Sequence, residues 1–185
     1  MKIDGLDNLK NLFKNDNDFI NHFIESVYFF DVETIVKQSQ EVINNIKANE
    51  KIPIRYSEKF KKLYRVNSDF VDGFNKIENK KTAVAFSKSH SIFHNETGIE
   101  IIVDPDNSNY VRRAIKRSTG YSVSAGKKSD IQNYTISHVW GNTDSPLFFS
   151  LLWNVTLIPT YLGFILDKPD HNEVIEKLKL LMKLK

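Results

Sequence analysis

The spacing of apolar residues changes partway along this chain, and that change limits what it can fold into. Up to about Ala48 the apolar positions recur at helical intervals. Phe19, Ile20, Phe23, Ile24, Val27 and Phe30 fall on one face, with Asn17, Asn21, His22 and Glu25 on the other. Asp31 then offers a cap for a further helix, whose stripe is Val32, Ile35, Val36, Ser39, Val42, Ile43 and Ile46. Leu6, Leu9, Leu12 and Phe13 predict a shorter helix before these, ended by the helix-start chemistry of Asn15 and Asp16. From Lys81 onward the pattern turns toward strand composition, so an all-helical bundle is excluded.

Pro53 blocks an early helix, and residues 52–65 read as a loop followed by a short helix. Ala83 to Phe93, the turn Asn95 to Gly98, and Ile99 to Val103 predict a β-hairpin. Asp104, Asp106 and Asn107 can cap a helix from about Ser108 to Ser118, closed by Gly120. Tyr134 to Trp140 alternates as a strand, Pro146 to Leu152 suits a short helix, and Trp153 to Ile158 returns to strand composition. Pro159 opens a turn or helix up to Lys168. Beyond Pro169 the residues Val174, Ile175, Leu178, Leu180, Leu181 and Met182 predict a closing amphipathic helix. The expected class is α+β: a helical N-terminal region over 1–50, then an α+β region over 51–185 with a compact unit at 133–168, all in one domain.

With 41% apolar residues and thirteen Phe, the chain can fill a core without covalent staples. It has no cysteine, which removes disulfides, thiolate metal sites and cysteine nucleophiles together. The first residues, MKIDGLDNLKNLFKND, mix charge with apolar side chains and resemble neither a signal peptide nor an anchor, so a cytoplasmic location and no membrane partner are expected. The balance of 26 basic against 23 acidic residues is modest. Its distribution is not: Arg112, Arg113, Lys116, Arg117, Lys127 and Lys128 lie together in a stretch without acidic residues. Such a run is commonly a solvated helix face, but arginine forks also bind phosphate well.

Two polar residues stand out in the text NYTISHVWGNTDSPLFFSLLWNVTLIPTYLGFILDK. His138 sits late in a strand just before Gly141, and Asn154 lies inside an otherwise apolar run. Each also has an ordinary structural reading, as a histidine satisfied by a backbone group and as a buried amide fixing a turn. Trp140 and Trp153 beside them read as core. His90 and His94 would share a helix face suited to metal, but in the expected strand they read as exposed or hairpin positions. His22 and His171 read as surface residues.

At Ser137-His138 and Asn154-Val155-Thr156-Leu157 the sequence resembles the HNH, or ββα-metal, nuclease superfamily, in which a strand-end His is followed by a loop, an Asn-bearing strand and a helix. The resemblance covers the final third of the chain. It implies phosphodiester hydrolysis with one divalent cation, Mg²⁺ or Mn²⁺. His138 would be general base, and the Asn154 side-chain carbonyl would orient the imidazole. Many members carry a metal-binding Asp where this chain has Ser137, and near a third expected position it has Gly163. The nearest carboxylates are Asp144 and Asp167, either of which could serve as ligand. The implied activity is a DNA endonuclease, as in a restriction system, with a homodimer expected where both strands of a symmetric site are cut. The alternative is a non-catalytic module that binds nucleic acid or protein on a degenerate scaffold of this type.

Overall fold

The computed structural model describes residues 11–106, 108–124, 129–165, 176 and 180. The fold is α+β. Helix α1 (Asp16–Ser26) starts where the sequence predicts, with the Asn15 side chain accepting from the Asp18 N–H at 2.9 Å. Its Phe19, Ile20 and Phe23 are buried against Ile158 and Leu162. Of the earlier predicted helix, only the end falls among the described residues; 11–15 are turn and bend, and the Phe13 ring meets Phe19 edge-on at 5.3 Å.

After α1 the chain extends as strand β1 (Tyr28–Phe29) and then enters helix α2 (Val32–Lys47), capped by Asp31 through the Thr34 N–H at 2.8 Å. The buried face of α2 is rotated from the predicted stripe. Gln38 and Val42 are buried, whereas Val32, Val36 and Ile43 are 51%, 60% and 45% exposed. The cause is polar. The Gln38 amide donates to the Ser150 carbonyl and accepts from the Leu152 N–H, both at 3.1 Å, which turns its side of the helix inward.

A four-stranded sheet follows, in the order β2-β5-β4-β3. Its strands are β2 (Ile52–Ile54), β3 (Tyr64–Arg65), β4 (Ile92–His94) and β5 (Glu100–Val103). The expected loop at 52 is therefore a strand, parallel to β5. Pro53 is tolerated because β2 is an edge, where one missing N–H need not break a ladder. Helix α3 (Phe60–Leu63) is the predicted short helix, and α4 (Val71–Asn75) is a further short one.

The predicted first hairpin strand over 83–93 is mostly wrong: helix α5 occupies Lys80–Ser89, and only Ile92–His94 is extended. Asn79 and Thr82 form a capping box that starts this helix. The small Ala83 and Ser87, both fully buried, let it lie close on the sheet, and the Ser87 hydroxyl accepts from the Val103 N–H at 3.0 Å. The turn into β5 is as expected, with Gly98 at φ +68°. His90 ends α5 stacked on Phe86 at 4.2 Å, while His94 is buried beside Tyr64. The two imidazoles serve separate packing roles, and the exposure expected of His94 is not found.

Helix α6 (Asn109–Thr119) carries the basic residues and ends at Gly120, φ +80°. Short strands β6 (Val123–Ser124) and β7 (Ile131–Gln132) pair in parallel. A third sheet, ordered β1-β9-β8, contains β8 (Tyr134–His138) and β9 (Val155–Pro159) as antiparallel neighbours. β9 is buried along its whole length: Val155 and Leu157 join Phe30, Val111 and Ile115, while Ile158 joins the α1 core. A strand covered on both faces reads as a continuous apolar run.

A 3₁₀ helix (Thr160–Ile165) folds back onto β8, where a Cβ added at Gly163 would lie 3.1 Å from the Thr135 methyl. This completes a strand-strand-helix unit like that predicted, with a 3₁₀ helix in third place. The predicted closing helix lies outside the described residues, apart from helical positions at Glu176 and Leu180.

The helix predicted over Pro146–Leu152 does not form; these residues are turns and bends, with a 3₁₀ turn at Leu152–Asn154. Side chains hold the backbone of this segment instead. The carbonyls of Phe148, Phe149 and Ser150 accept from Asn154, His138 and Gln38 respectively. The local bonds that form are confined to one turn, in which the Ser145 carbonyl accepts from the Phe148 and Phe149 N–H groups.

Candidate functional site

His138 is the last residue of β8 and stands opposite Val155 in the ladder. Between them the chain makes the loop 139–154, and side chains brace it from inside. Asn154 is fully buried; its Oδ1 accepts from the Trp140 N–H at 2.8 Å, and its amide donates to Phe148 O at 2.8 Å and Gly141 O at 3.2 Å. The structure thus places Asn154 beside His138 but gives its amide a different task from the one expected. It fixes the loop, and the loop fixes the histidine.

The carbonyl that orients the imidazole belongs to Phe149, 2.8 Å from His138 Nε2. A carbonyl can only accept, so Nε2 carries the hydrogen and Nδ1 carries the lone pair. The ring is half-buried and stacks on the Phe149 ring at 5.5 Å and 12°. Burial pulls its pKa down to about 4, partly opposed by the hydrogen bond to Phe149 and reinforced by the positive charge of Arg55. His138 is therefore neutral at pH 7, with one nitrogen able to take a proton.

The donor set for a cation is less favourable. Asp144 lies in the loop, but its Oδ2 accepts from the Ser57 hydroxyl at 2.9 Å and its backbone carbonyl accepts from the Tyr64 hydroxyl. These bonds pin the loop to the four-stranded sheet. Asp167 lies outside the described residues. Ser137 and Gly163 bring no carboxylate, and among the described residues no three His, Asp or Glu side chains gather where they could hold an ion. Of the two candidate ligands, Asp144 is the one whose position is described.

The basic helix turns its charges outward. Arg112, Arg113, Lys116 and Arg117 are all exposed, on the side of α6 away from the buried Val111 and Ile115. Arg117 pairs with Glu41 of α2, and Arg113 lies 5.4 Å over the Tyr110 ring. Arg112 pairs loosely with Asp106 at 3.4 Å, and Lys116 contributes to lowering the Asp130 pKa. The helical part of the cationic stretch is thus one exposed face, as the sequence suggests, and part of its charge is met within the protein. Lys127 and Lys128 lie outside the described residues.

One residue that the sequence reading missed is Arg55. It directly follows β2, where its N–H donates to Thr143 O at 2.8 Å, joining the sheet to the braced loop. Its guanidinium sits 5.9 Å from the centre of the Phe149 ring, the same ring on which His138 stacks. Together with Arg112, Ser108, Ser124 and Tyr134 it lines a cleft of about 240 Å³ that runs along β8. None of the residues lining this cleft is acidic. Asp104, fully buried nearby, supports the Arg55 charge while its own oxygens accept from the N–H groups of Asp106, Asn109 and Tyr110. The only sequence signal was a single arginine at the end of a short apolar strand.

These features define an α+β protein with a β-hairpin whose loop is braced by side chains and whose strand-end imidazole lies two residues along β8 from an arginine-lined cleft. The chain belongs to the family described as "Uncharacterised protein PM1201", whose model matches residues 30–185. A relative in Pasteurella multocida (strain Pm70), described in the same words, is 35% identical over 78 residues, covering 42% of this chain and 34% of the relative. The match thus spans about a third of that relative's length. No solved structure matches, and among the described residues no helix is long and apolar enough to cross a membrane.

Proposed function

We propose that this protein is a DNA endonuclease of the HNH type, with His138 as the general base for phosphodiester hydrolysis. The observation that carries this reading is the held tautomer: His138 at a strand end, Nε2 on the Phe149 carbonyl, Nδ1 left as the basic nitrogen. In the reaction Nδ1 accepts a proton from water as its oxygen attacks phosphorus and the bond to the leaving oxygen breaks. A pKa near 4 makes the ring a weak base. A bound phosphate close by would raise it, because an anion stabilises the imidazolium. The resemblance brings with it a divalent cation, Mg²⁺ or Mn²⁺, as a dependence to be measured; no step is routed through it. A restriction-type activity on both strands of a symmetric site would call for a homodimer.

A second reading is favoured by the stacking of His138 on Phe149 and by the committed side chain of Asp144. In it the hairpin is a non-catalytic module that binds nucleic acid or a protein. The readings part in one experiment. Plasmid is incubated with the protein in Mg²⁺, Mn²⁺ or EDTA, and the same is done with His138→Ala. The nuclease reading expects metal-dependent nicking that falls by about 10²- to 10⁴-fold in the variant. Salt-sensitive retention of plasmid with no His138-dependent nicking sinks it in favour of the second.

A further inference from the structure

We propose that Arg55 and Arg112 form a phosphate-binding subsite that holds a nucleic-acid strand in the cleft alongside β8. The proposal deepens the nuclease reading, since it names the residues that would position the substrate of that site. Its basis is geometric. Two arginines, from the end of β2 and from α6, line one cleft of about 240 Å³ with Ser108 and Tyr134, hydroxyl side chains that can donate to phosphate oxygens, and with Ser124, whose hydroxyl donates to Ser129 Oγ at 2.8 Å.

Arg55 is held in place at both ends. Its backbone is fixed to Thr143, and its guanidinium rests over the Phe149 ring. A partly buried guanidinium with a fixed stem loses little freedom on binding, which favours a bidentate grip on phosphate. Arg112 is about half exposed, and its bond to Asp106 is long at 3.4 Å; a surface pair of this kind contributes little and is readily exchanged for a phosphate.

The cleft's wall on β8 runs from Tyr134 to Ile136, two residues short of His138. Tyr134, Ile136 and His138 alternate onto the same face of β8, so the stretch from Ile136 to His138 is about 7 Å. A strand seated on the two arginines would run past His138. Arg55 is thereby a positioning residue, acting on the substrate from a different sheet than the hairpin.

The test is binding of a fluorescein-labelled DNA duplex in EDTA over a series of salt concentrations. It compares the wild type, Arg55→Lys, Arg112→Gln and the double variant, each checked by thermal melting. The double variant is expected to bind at least about tenfold more weakly, with the slope of log affinity against log salt reduced by about 1 to 2. Should Arg55→Lys melt early, Arg112→Gln decides alone, with an expected slope reduction of about 1. Unchanged affinity and slope in a folded double variant overturn the subsite, as does failure of the wild type to bind the duplex. A plasmid assay separates this from the nuclease reading. A reduced slope without any cleavage by the wild type removes the nuclease and keeps the subsite; His138-dependent cleavage with an unchanged slope does the reverse.

Discussion

Nε2 of His138 and the main-chain carbonyl of Phe149 are 2.8 Å apart, although the two residues belong to a strand and to a loop with no regular structure. The bond sets the histidine tautomer and ties the end of the strand to the irregular segment 146–152. One contact therefore joins the protonation state of the ring to the path of the loop.

Protonation of His138 should cost stability. Its folded pKa of about 4 lies below the ordinary 6.5, so the unfolded chain binds the proton first. Its contribution to stability is intact above about pH 6.5, declines as the pH falls toward 4, and levels off below that. Urea unfolding across this range should show the decline in the wild type and a flatter profile in His138→Gln. Asp31 and Asp130, whose pKa values are lowered by hydrogen bonds from Thr34 and Ser122, act below about 3.8 and leave the window clear. Parallel profiles for the two proteins, or an NMR titration of His138 above 6.5, would refute the assignment.

Asn154→Ala should destabilise by about 2–4 kcal/mol, because it leaves the Trp140 N–H and the Phe148 and Gly141 carbonyls without their bonds from Asn154 in a buried loop. Asn154→Asp keeps the acceptor for Trp140 but aims a carboxylate at two carbonyls, and should also destabilise. Melting temperatures within a degree of wild type in both variants would show that the loop does not depend on this amide.

Gln38→Leu should cost about 1–3 kcal/mol, since it unpairs Ser150 O and Leu152 N inside the protein while keeping the side chain's bulk. Chemical denaturation measures this directly. A neutral effect would mean that the segment 150–152 is held by its apolar contacts alone.

Thr156→Val should stabilise by about 1 kcal/mol. The Thr156 hydroxyl is buried and has no hydrogen-bond partner among the described residues, so an isosteric methyl removes a desolvation penalty. A loss of stability on this substitution would reveal a partner for that hydroxyl.

Sequence periodicity located the helices with strong local caps. Asn15, Asp31 and Gly120 all mark ends as expected, because capping is decided by residues a few positions apart. It failed where a distant group won. The face of α2 turned to satisfy Gln38, and where a helix was expected over 146–152 the carbonyls of Phe148, Phe149 and Ser150 are bound by Asn154, His138 and Gln38. At 83–93 the error was local: the capping box of Asn79 and Thr82 outweighed the strand-like composition that follows. In the candidate site, His138 and Asn154 were visible as polar residues in an apolar run, but which carbonyl meets which nitrogen depends on the path of the loop. Arg55 was invisible because its relation to Phe149 exists only once β2 is set beside the hairpin.

The pairing of Tyr28 and Phe29 with Leu157 and Thr156 has a practical consequence for dissecting this protein. The stretch matching the family begins at residue 30, just past that pairing. A clone trimmed to that boundary would strip β9 of its outer neighbour and present a greasy ladder with open amides to any passing chain. Such a truncation invites clumping for reasons unrelated to function, and the first thirty residues should stay in any expression design.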